Sequence, residues 1–248
     1  MSTVVSRTNG FPPARSYRVV PGVVQTKRPM ADTARILEDF ARREPSAEAF
    51  AARALELARN AESVAFRALL ASVARRLGSA GTVPPTRPPD VFEAARPHWT
   101  LTDWIRAALV VCALESLEGE SRPALVQGLF EAGEIGEQES ILRTLELLPE
   151  PVHHVETALL GCRTNARRVF EAIACDNAYP ERHFSELSYN QMVLKAIFIE
   201  VPVSRIEGLA RRSGPELRRM ANDYASERRA AGRAVPSDIE LILRGNIA

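Results

Sequence analysis

The sequence predicts an all-α protein, either an irregular α-solenoid of HEAT- or armadillo-like helical pairs or a multi-helix bundle. Apolar residues recur at helical spacing in almost every regular segment after residue 30. No segment shows the alternating β-branched pattern, bounded by hairpin turns, that is typical of a strand. Several helix-start signals follow one another at intervals of roughly 15 residues, which is typical of repeated helical pairs and also of irregular bundles.

Changes in composition divide the chain into four predicted blocks. Residues 1–30 are rich in proline, glycine, serine and arginine without a helical period, as in a flexible N-terminal tail. Residues 31–78 form an N-terminal helical block. Residues 79–98 contain many prolines and glycines, which remove backbone donors and interrupt helices, so they predict a linker. Residues 99–248 then form a second helical domain.

The predicted helices begin at recognisable capping residues. In the first block, Asp32 is predicted to cap one helix and Ser46 a long alanine-rich helix that runs to Leu77, where Gly78 ends it. After the linker, "TLTDWIRAALVVCALESL" predicts a buried helix because few polar residues interrupt it. Shorter helices are predicted to begin at or near Ser121, Gly136, Pro151, Thr164 and Ser188.

The composition excludes several classes of protein. A chain of 248 residues with 46% hydrophobic content can bury a globular core, and its net charge of +1 lacks the basic excess of a nucleic-acid-binding protein. The longest uninterrupted apolar run, residues 107–114, is far shorter than the roughly 20 residues that a membrane-spanning helix needs. Residues 1–30 also lack the apolar core of a secretory signal. We therefore expect no nucleic-acid partner, no transmembrane segment and a cytoplasmic location.

The cysteines and the known short motifs give no sign of a cofactor. Cys112, Cys162 and Cys175 are odd in number and lie in apolar helical sequence, which favours reduced core thiols over disulfides or a zinc site. The glycine-rich nucleotide-binding motifs and the nucleophile-elbow motif are absent from the sequence. We therefore predict no cofactor and no catalytic residue.

The segment "DNAYPERHFSELSYNQMVLKAIF", residues 176–198, places polar residues immediately before an apolar helix. Ser188 and Gln191 fit a capping box, which predicts that the helix begins there. Lys195 is the only polar residue in "MVLKAIFI" and one of only two lysines in the chain. A compact ammonium group in such a helix can bind an anion or a carbonyl group as a point charge.

Polar residues around this lysine form the predicted ligand-binding site. The alternative is purely structural: Lys195 would extend from the rim of the core and pair with a carboxylate such as Asp176. The residues at the start of the segment would then form a simple turn, because Asp and Asn bond their own backbone and Pro180 fixes φ. The predicted ligand-binding residues are Lys195, Asp176, Asn177, Tyr179, His183 and Asn190.

Two histidine–glutamate pairs suggest a metal-binding alternative. His153 and Glu156 are three residues apart, as are His183 and Glu186, so each pair would share one helix face. Two such pairs could face each other across stacked helical repeats. However, helical-repeat iron hydroxylases use adjacent His–Glu dipeptides, which this chain lacks, and His183 is predicted to lie in a loop. We therefore assign no metal ligand.

Several segments of the second half resemble the C-terminal part of the EboA family, the metabolite-traffic proteins encoded in ebo gene clusters. They are "TALLGCRTNARRVFEAIACDNAYP", "YNQMVLKAIFIEVPVSRIEGLARR" and "MANDYASERRAAGRAVPSDI", with "HWTLTDWIRAALVV" upstream. The resemblance implies a mostly helical, cytoplasmic accessory protein that acts with other ebo-cluster proteins, including a membrane prenyltransferase-like protein. It also implies a role in moving a secondary-metabolite precursor or signal toward the cell envelope.

These observations together predict a non-enzymatic protein that binds a small-molecule metabolite or serves as a scaffold for its export. Peripheral attachment at the inner membrane is an alternative to a purely cytoplasmic location. Two other functions stay open: a helical-repeat metal-dependent enzyme of the same pathway, and a protein–protein adaptor without a small ligand. The resemblance supplies no catalytic residues, so the predicted site depends on the residues around Lys195.

Overall fold

The computed structural model describes residues 30–59, 64–89 and 98–244. Within these ranges the chain forms thirteen α-helices and four short 3-10 helices, and no strand. The all-α prediction is confirmed. The α-helices are α1 (Met30–Arg43), α2 (Glu48–Ala58), α3 (Val64–Leu77), α4 (Leu101–Glu115), α5 (Ser121–Ala132), α6 (Ile135–Thr144), α7 (Val155–Arg163), α8 (Arg167–Ala174), α9 (Tyr179–His183), α10 (Glu186–Phe198), α11 (Leu209–Arg212), α12 (Pro215–Ala230) and α13 (Ser237–Arg244).

The described chain divides into two compact units. The N-terminal unit ends at Ala158 and contains α1 to α6, whereas the C-terminal unit begins at Leu159 and contains α8 to α13. This division lies within α7, far from the predicted linker at 79–98. Apart from Met30, the predicted tail lies outside the described residues, as do residues 90–97 of the predicted linker.

Helix α4 is the centre of the N-terminal unit. Every residue from Leu101 to Leu114 is buried, and α1, α2, α3 and α6 all contact this helix. Its first turn is fixed by a capping box in which the Thr100 side chain accepts a hydrogen bond from the Asp103 N–H, and the Asp103 carboxylate accepts one from the Thr100 N–H. The unit is therefore a helical bundle around the helix that the sequence predicted to be buried.

Two buried charges in α4 connect it to neighbouring helices. Arg106 donates to the Leu70 carbonyl of α3 at 3.3 Å and to the Gly136 carbonyl of α6 at 2.7 Å. Asp103 accepts from the Arg143 guanidinium of α6 at 2.8 Å. Burial lowers the pKa of Arg106, and these acceptors compensate for the loss of water around the charge. The charges thus stabilise the packing of α4.

Several predicted helix boundaries differ from the observed ones. The helix predicted from Ser46 to Leu77 is two helices, because α2 ends at Ala58 and α3 begins at Val64. The predicted end at Leu77 is confirmed, and Gly78 follows with a positive φ of 54°. Asp32 lies inside α1, which begins at Met30, and is not its cap.

The predicted start of α10 is wrong by three residues. Its N-cap is Ser185, whose hydroxyl accepts a hydrogen bond from the Ser188 N–H at 3.2 Å. Ser188 lies within the helix and is completely buried, so it cannot form the predicted capping box with Gln191. Two serines at a spacing of three residues both satisfy the sequence rule, and tertiary packing selects the first.

Candidate functional site

The predicted site residues lie in α10 and in the segment that precedes it, within the C-terminal unit. This helix contacts α8, α12 and the 3-10 helix Val203–Arg205. Two of the six predicted residues, Lys195 and Asn190, belong to α10 itself, and the others lie between the end of α8 and the end of α9. Their hydrogen bonds show what each of them does in the fold.

The Lys195 ammonium binds the C-terminal end of α7. Its Nζ atom donates to the Cys162 carbonyl at 2.5 Å and to the Thr164 carbonyl at 2.6 Å, and lies 5.1 Å from the centre of the Phe170 ring. The last carbonyls of a helix have no intrahelical donor and carry partial negative charge, so a cation there is favourable. Burial lowers the pKa of Lys195. The lysine thus joins α10 to the end of α7.

Asp176 is held by Arg205 and not by Lys195. Its Oδ2 atom accepts from Arg205 Nη2 at 2.6 Å and from Nε at 3.0 Å, while its N–H donates to the Arg205 carbonyl at 2.8 Å. The suggested Lys195–Asp176 pair is therefore wrong, because each side chain has other partners. Asp176 also has a φ of 52°, a left-handed conformation that Asp adopts more readily than most residues.

Asn177 forms a turn that begins α9. Its side-chain amide donates to the Ala172 carbonyl at 2.9 Å, and its Oδ1 accepts from the Tyr179 N–H at 3.0 Å. Tyr179 is completely buried, and its ring centre lies 4.6 Å from that of His183. His183 ends the short helix α9, so the prediction that it lies in a loop is wrong.

Asn190 differs from the other predicted residues because its buried amide is unsatisfied. Its side chain is 1% exposed, and neither Nδ2 nor Oδ1 has a hydrogen-bond partner among the described residues. Five helical steps place Asn190 and Lys195 about 140° apart around α10. Asn190 shares its side with the buried residues Val193 and Ile197. The six residues therefore do not converge on one point. For Asn190 and Lys195, their spacing of five residues along one helix already implies this.

Arg212 is a second cation at a helix end, and it was not among the predicted site residues. Its Nη1 atom donates to the carbonyls of Pro180 at 3.0 Å and Glu181 at 2.8 Å, and its Nη2 to that of Phe184 at 2.9 Å. The guanidinium also lies 4.3 Å from the Tyr189 ring centre. Arg212 therefore joins α11 to the end of α9. In the sequence, Arg212 lies in the EboA-like segment "GLARR" and in an arginine-rich stretch, neither of which indicates its partners.

Among the described residues, one cluster of three groups has a spacing that could suit a metal ion. The ligand atoms of Glu38, Cys112 and Glu115 lie within 4.8 Å of one another. However, the Arg59 guanidinium already contacts Glu38 at 2.5 Å, and burial, followed by the Glu38 charge, raises the pKa of the Cys112 thiol. His153 pairs with Glu150 at 2.9 Å, and neither predicted histidine pair contributes to this cluster.

A cleft of about 850 Å³ lies in the N-terminal unit, formed by the end of α1, the turn before α2, the proline-rich segment 83–89 and the start of α4. Its apolar lining includes Ile36, Phe40, Val83 and Leu101. The six predicted site residues do not line it. The sequence marked this proline-rich segment only as a linker, because proline composition does not show which helices a segment packs against.

A smaller cleft of about 370 Å³ lies in the C-terminal unit beside the end of α10. Two of its polar side chains already bind the main chain: Arg228 donates to the Ala234 carbonyl at 2.9 Å, and Asp238 accepts from the Val203 N–H at 3.0 Å. The first bond holds the turn before α13 against α12, and the second holds the start of α13 against the 3-10 helix Val203–Arg205.

Comparisons with known proteins identify the family. No helix in the described ranges has both the length and the apolar character needed to cross a bilayer. No curated protein and no solved structure shows a significant match to the chain. The family model described as "Metabolite traffic protein EboA" matches residues 27–243, which include the first helical block as well as the segments around α10. The chain therefore belongs to the EboA family of metabolite traffic proteins.

Proposed function

We propose that this protein is a non-enzymatic accessory protein in metabolite traffic, acting as a metabolite-binding or scaffold protein. The family match over residues 27–243 carries this proposal. The roles of the charged residues around α10 support it, because Lys195 and Arg212 bind helix-end carbonyls and Asp176 binds Arg205. These side chains are thus used within the protein, whereas the side chain of a general acid or base must reach the proton that it transfers to or from the substrate.

The proposed cargo is a secondary-metabolite precursor or signalling molecule that moves toward the cell envelope. The proposed partners are other ebo-cluster proteins, including the membrane prenyltransferase-like protein, and the proposed location is the cytoplasm with peripheral attachment at the inner membrane. Cell fractionation tests this location. The protein should shift from the membrane fraction to the soluble fraction when the prenyltransferase-like protein is deleted.

Asn190 is the predicted ligand-binding residue that best fits a role beyond the fold. A buried amide without partners loses its hydrogen bonds to water and gains none from the described chain. Such a group is stable only if other stabilising contacts offset this cost or if a water or ligand binds it. We therefore keep Asn190 in the proposed site, with Lys195 as a residue that positions α10.

A deletion strain tests the proposed function. Metabolites in cells and in the medium are compared by mass spectrometry with and without the gene. We expect the transported metabolite to accumulate inside cells of the deletion strain and to be exported again when the wild-type gene is returned. If the metabolite is no longer made, the alternative function as a metal-dependent enzyme of the pathway would be supported. An unchanged distribution of the metabolite between cells and medium would contradict a role in traffic.

A further inference from the structure

We infer that the cleft of the N-terminal unit binds an uncharged, largely apolar small molecule that contains a ring; this inference rests on the proposed metabolite-binding function. The cleft volume of about 850 Å³ lies within the range of roughly 300–1,000 Å³ that is usual for small-molecule sites. Ile36 and Phe40 of α1 form one apolar side, and Val83 and Leu101 line it from the segment that follows α3 and from α4.

The charges that line the cleft cancel. Arg43 and Arg87 are opposed by Asp39 and Glu44, and Arg43 pairs with Asp39 at 3.4 Å. With two positive and two negative groups, the lining has no excess charge that would select an anionic or a cationic ligand. This balance of charge favours an uncharged ligand.

The wall formed by residues 83–89 is anchored at its first residue and restricted by its prolines. The Leu101 N–H donates to the Val83 carbonyl at 2.8 Å, and the Thr102 hydroxyl donates to the Gly81 carbonyl at 2.8 Å, which ties the segment to the start of α4. Four prolines lie between positions 84 and 89, and each restricts φ. A wall with restricted backbone freedom loses less entropy when a ligand binds, and proline rings offer apolar surfaces against which a ring can pack.

An aromatic cluster beside the cleft supplies an internal reporter. The Phe40 ring centre lies 6.3 Å from that of Trp104, and Trp104 lies 4.5 Å from Trp99. These are the only two tryptophans in the chain. Because Phe40 lines the cleft and contacts this cluster, a chromophore in the cleft should quench tryptophan emission by energy transfer.

The test is a fluorescence titration of the full chain with N-phenyl-1-naphthylamine, an uncharged apolar dye with aromatic rings. We expect saturable binding and quenching of tryptophan emission. The anionic dye 8-anilino-1-naphthalenesulfonate has the same ring system plus a sulfonate, and we expect it to bind at least tenfold more weakly. No saturable binding of the uncharged dye, or tighter binding of the anionic dye, would overturn the inference.

A matched pair of variants locates the bound dye. Val83 lines the cleft and is 55% exposed, whereas Ile135 of α6 is 47% exposed and does not line it. Both side chains are β-branched, apolar and accessible to water, so a glutamate at either position should allow folding. Val83→Glu should weaken the binding of N-phenyl-1-naphthylamine at least tenfold, and Ile135→Glu should leave it unchanged. Equal affinity in both variants would place the dye elsewhere and overturn the inference.

Circular dichroism melting curves of both variants confirm that they are folded, since apolar dyes also bind partly unfolded chains. If Val83→Glu proves unfolded, Thr86→Glu takes its place, because Thr86 also lines the cleft and is exposed. These dye experiments use purified protein and therefore fail independently of the deletion-strain experiment. A protein that restores export but does not bind the dye would overturn the ligand site and leave the proposed function standing.

Discussion

Replacing Lys195 by methionine separates a structural lysine from one that only binds a ligand. Methionine keeps most of the volume and the apolar contact with Phe170, but it removes the donor that the carbonyls of Cys162 and Thr164 share. If the ammonium only extended into solvent, the variant would be at least as stable as the wild type. The observed bonds predict the opposite, because two carbonyls at the end of α7 lose their partner.

The magnitude follows from these two hydrogen bonds. A hydrogen bond to a charged group contributes about 1.5–3 kcal/mol, and the cation–π contact adds about 0.5 kcal/mol. Lys195 is only half-buried, so water can reach part of the site and replace some of the lost bonding. We therefore take the low end, about 1.5 kcal/mol for each of the two bonds, and leave out the cation–π contact, so Lys195→Met should reduce the free energy of unfolding by about 3 kcal/mol. In a protein of this size this corresponds to a fall in Tm of roughly 6–12 °C.

Urea denaturation followed by circular dichroism measures this loss. The control is Arg229→Met, because Arg229 is exposed and its side chain makes no hydrogen bond or ion pair with the described residues. That variant should change the free energy of unfolding by less than about 0.5 kcal/mol. Lys195→Arg should lie between the wild type and Lys195→Met, since a guanidinium can donate to both carbonyls but does not fit the same space. A Lys195→Met protein as stable as the wild type would refute the reasoning.

The remaining predictions concern the buried amides, the thiols and metal. Asn190→Leu should raise the free energy of unfolding by about 1 kcal/mol, whereas Asn177→Leu should lower it by about 2 kcal/mol, because among the described residues the Asn177 amide has hydrogen-bond partners and the Asn190 amide has none. Urea denaturation that gives both variants the same sign would contradict this. Burial raises the pKa of Cys175 to about 11, so about one such thiol in a thousand is ionised at pH 8. All three thiols are buried, and Ellman's reagent should therefore react with them only after unfolding; rapid reaction in the native state would show that they are accessible. Protein purified without chelator should carry metal well below one equivalent, because Arg59 already neutralises Glu38; one equivalent of zinc or iron that survives dialysis and is lost in Cys112→Ala would contradict this.

The sequence showed the helical class and the family because both depend on local pattern. The buried helix α4 was evident from its apolar composition between Thr100 and Glu115. The end of α3 was evident from Gly78, because glycine adopts a positive φ without strain. Boundaries were less certain where two residues fit one rule. Ser185 and Ser188 both suit an N-cap, and the structure has Ser185 at the cap and Ser188 inside the helix.

The partners of the polar residues depended on tertiary structure. The sequence singled out Lys195 as an unusual cation, but its acceptors lie 31 and 33 residues earlier in the chain, and no local pattern indicates a bond over that separation. The carbonyls that Arg212 binds are likewise distant in the sequence, and so is the Asp176 carboxylate that Arg205 binds. The sequence by itself determined which segments are helical and which family the chain resembles, since these follow from the order of residue types. Only the tertiary structure decided which carbonyls the cations satisfy and where the cleft opens, because hydrogen bonds and cavities depend on residues that folding brings together.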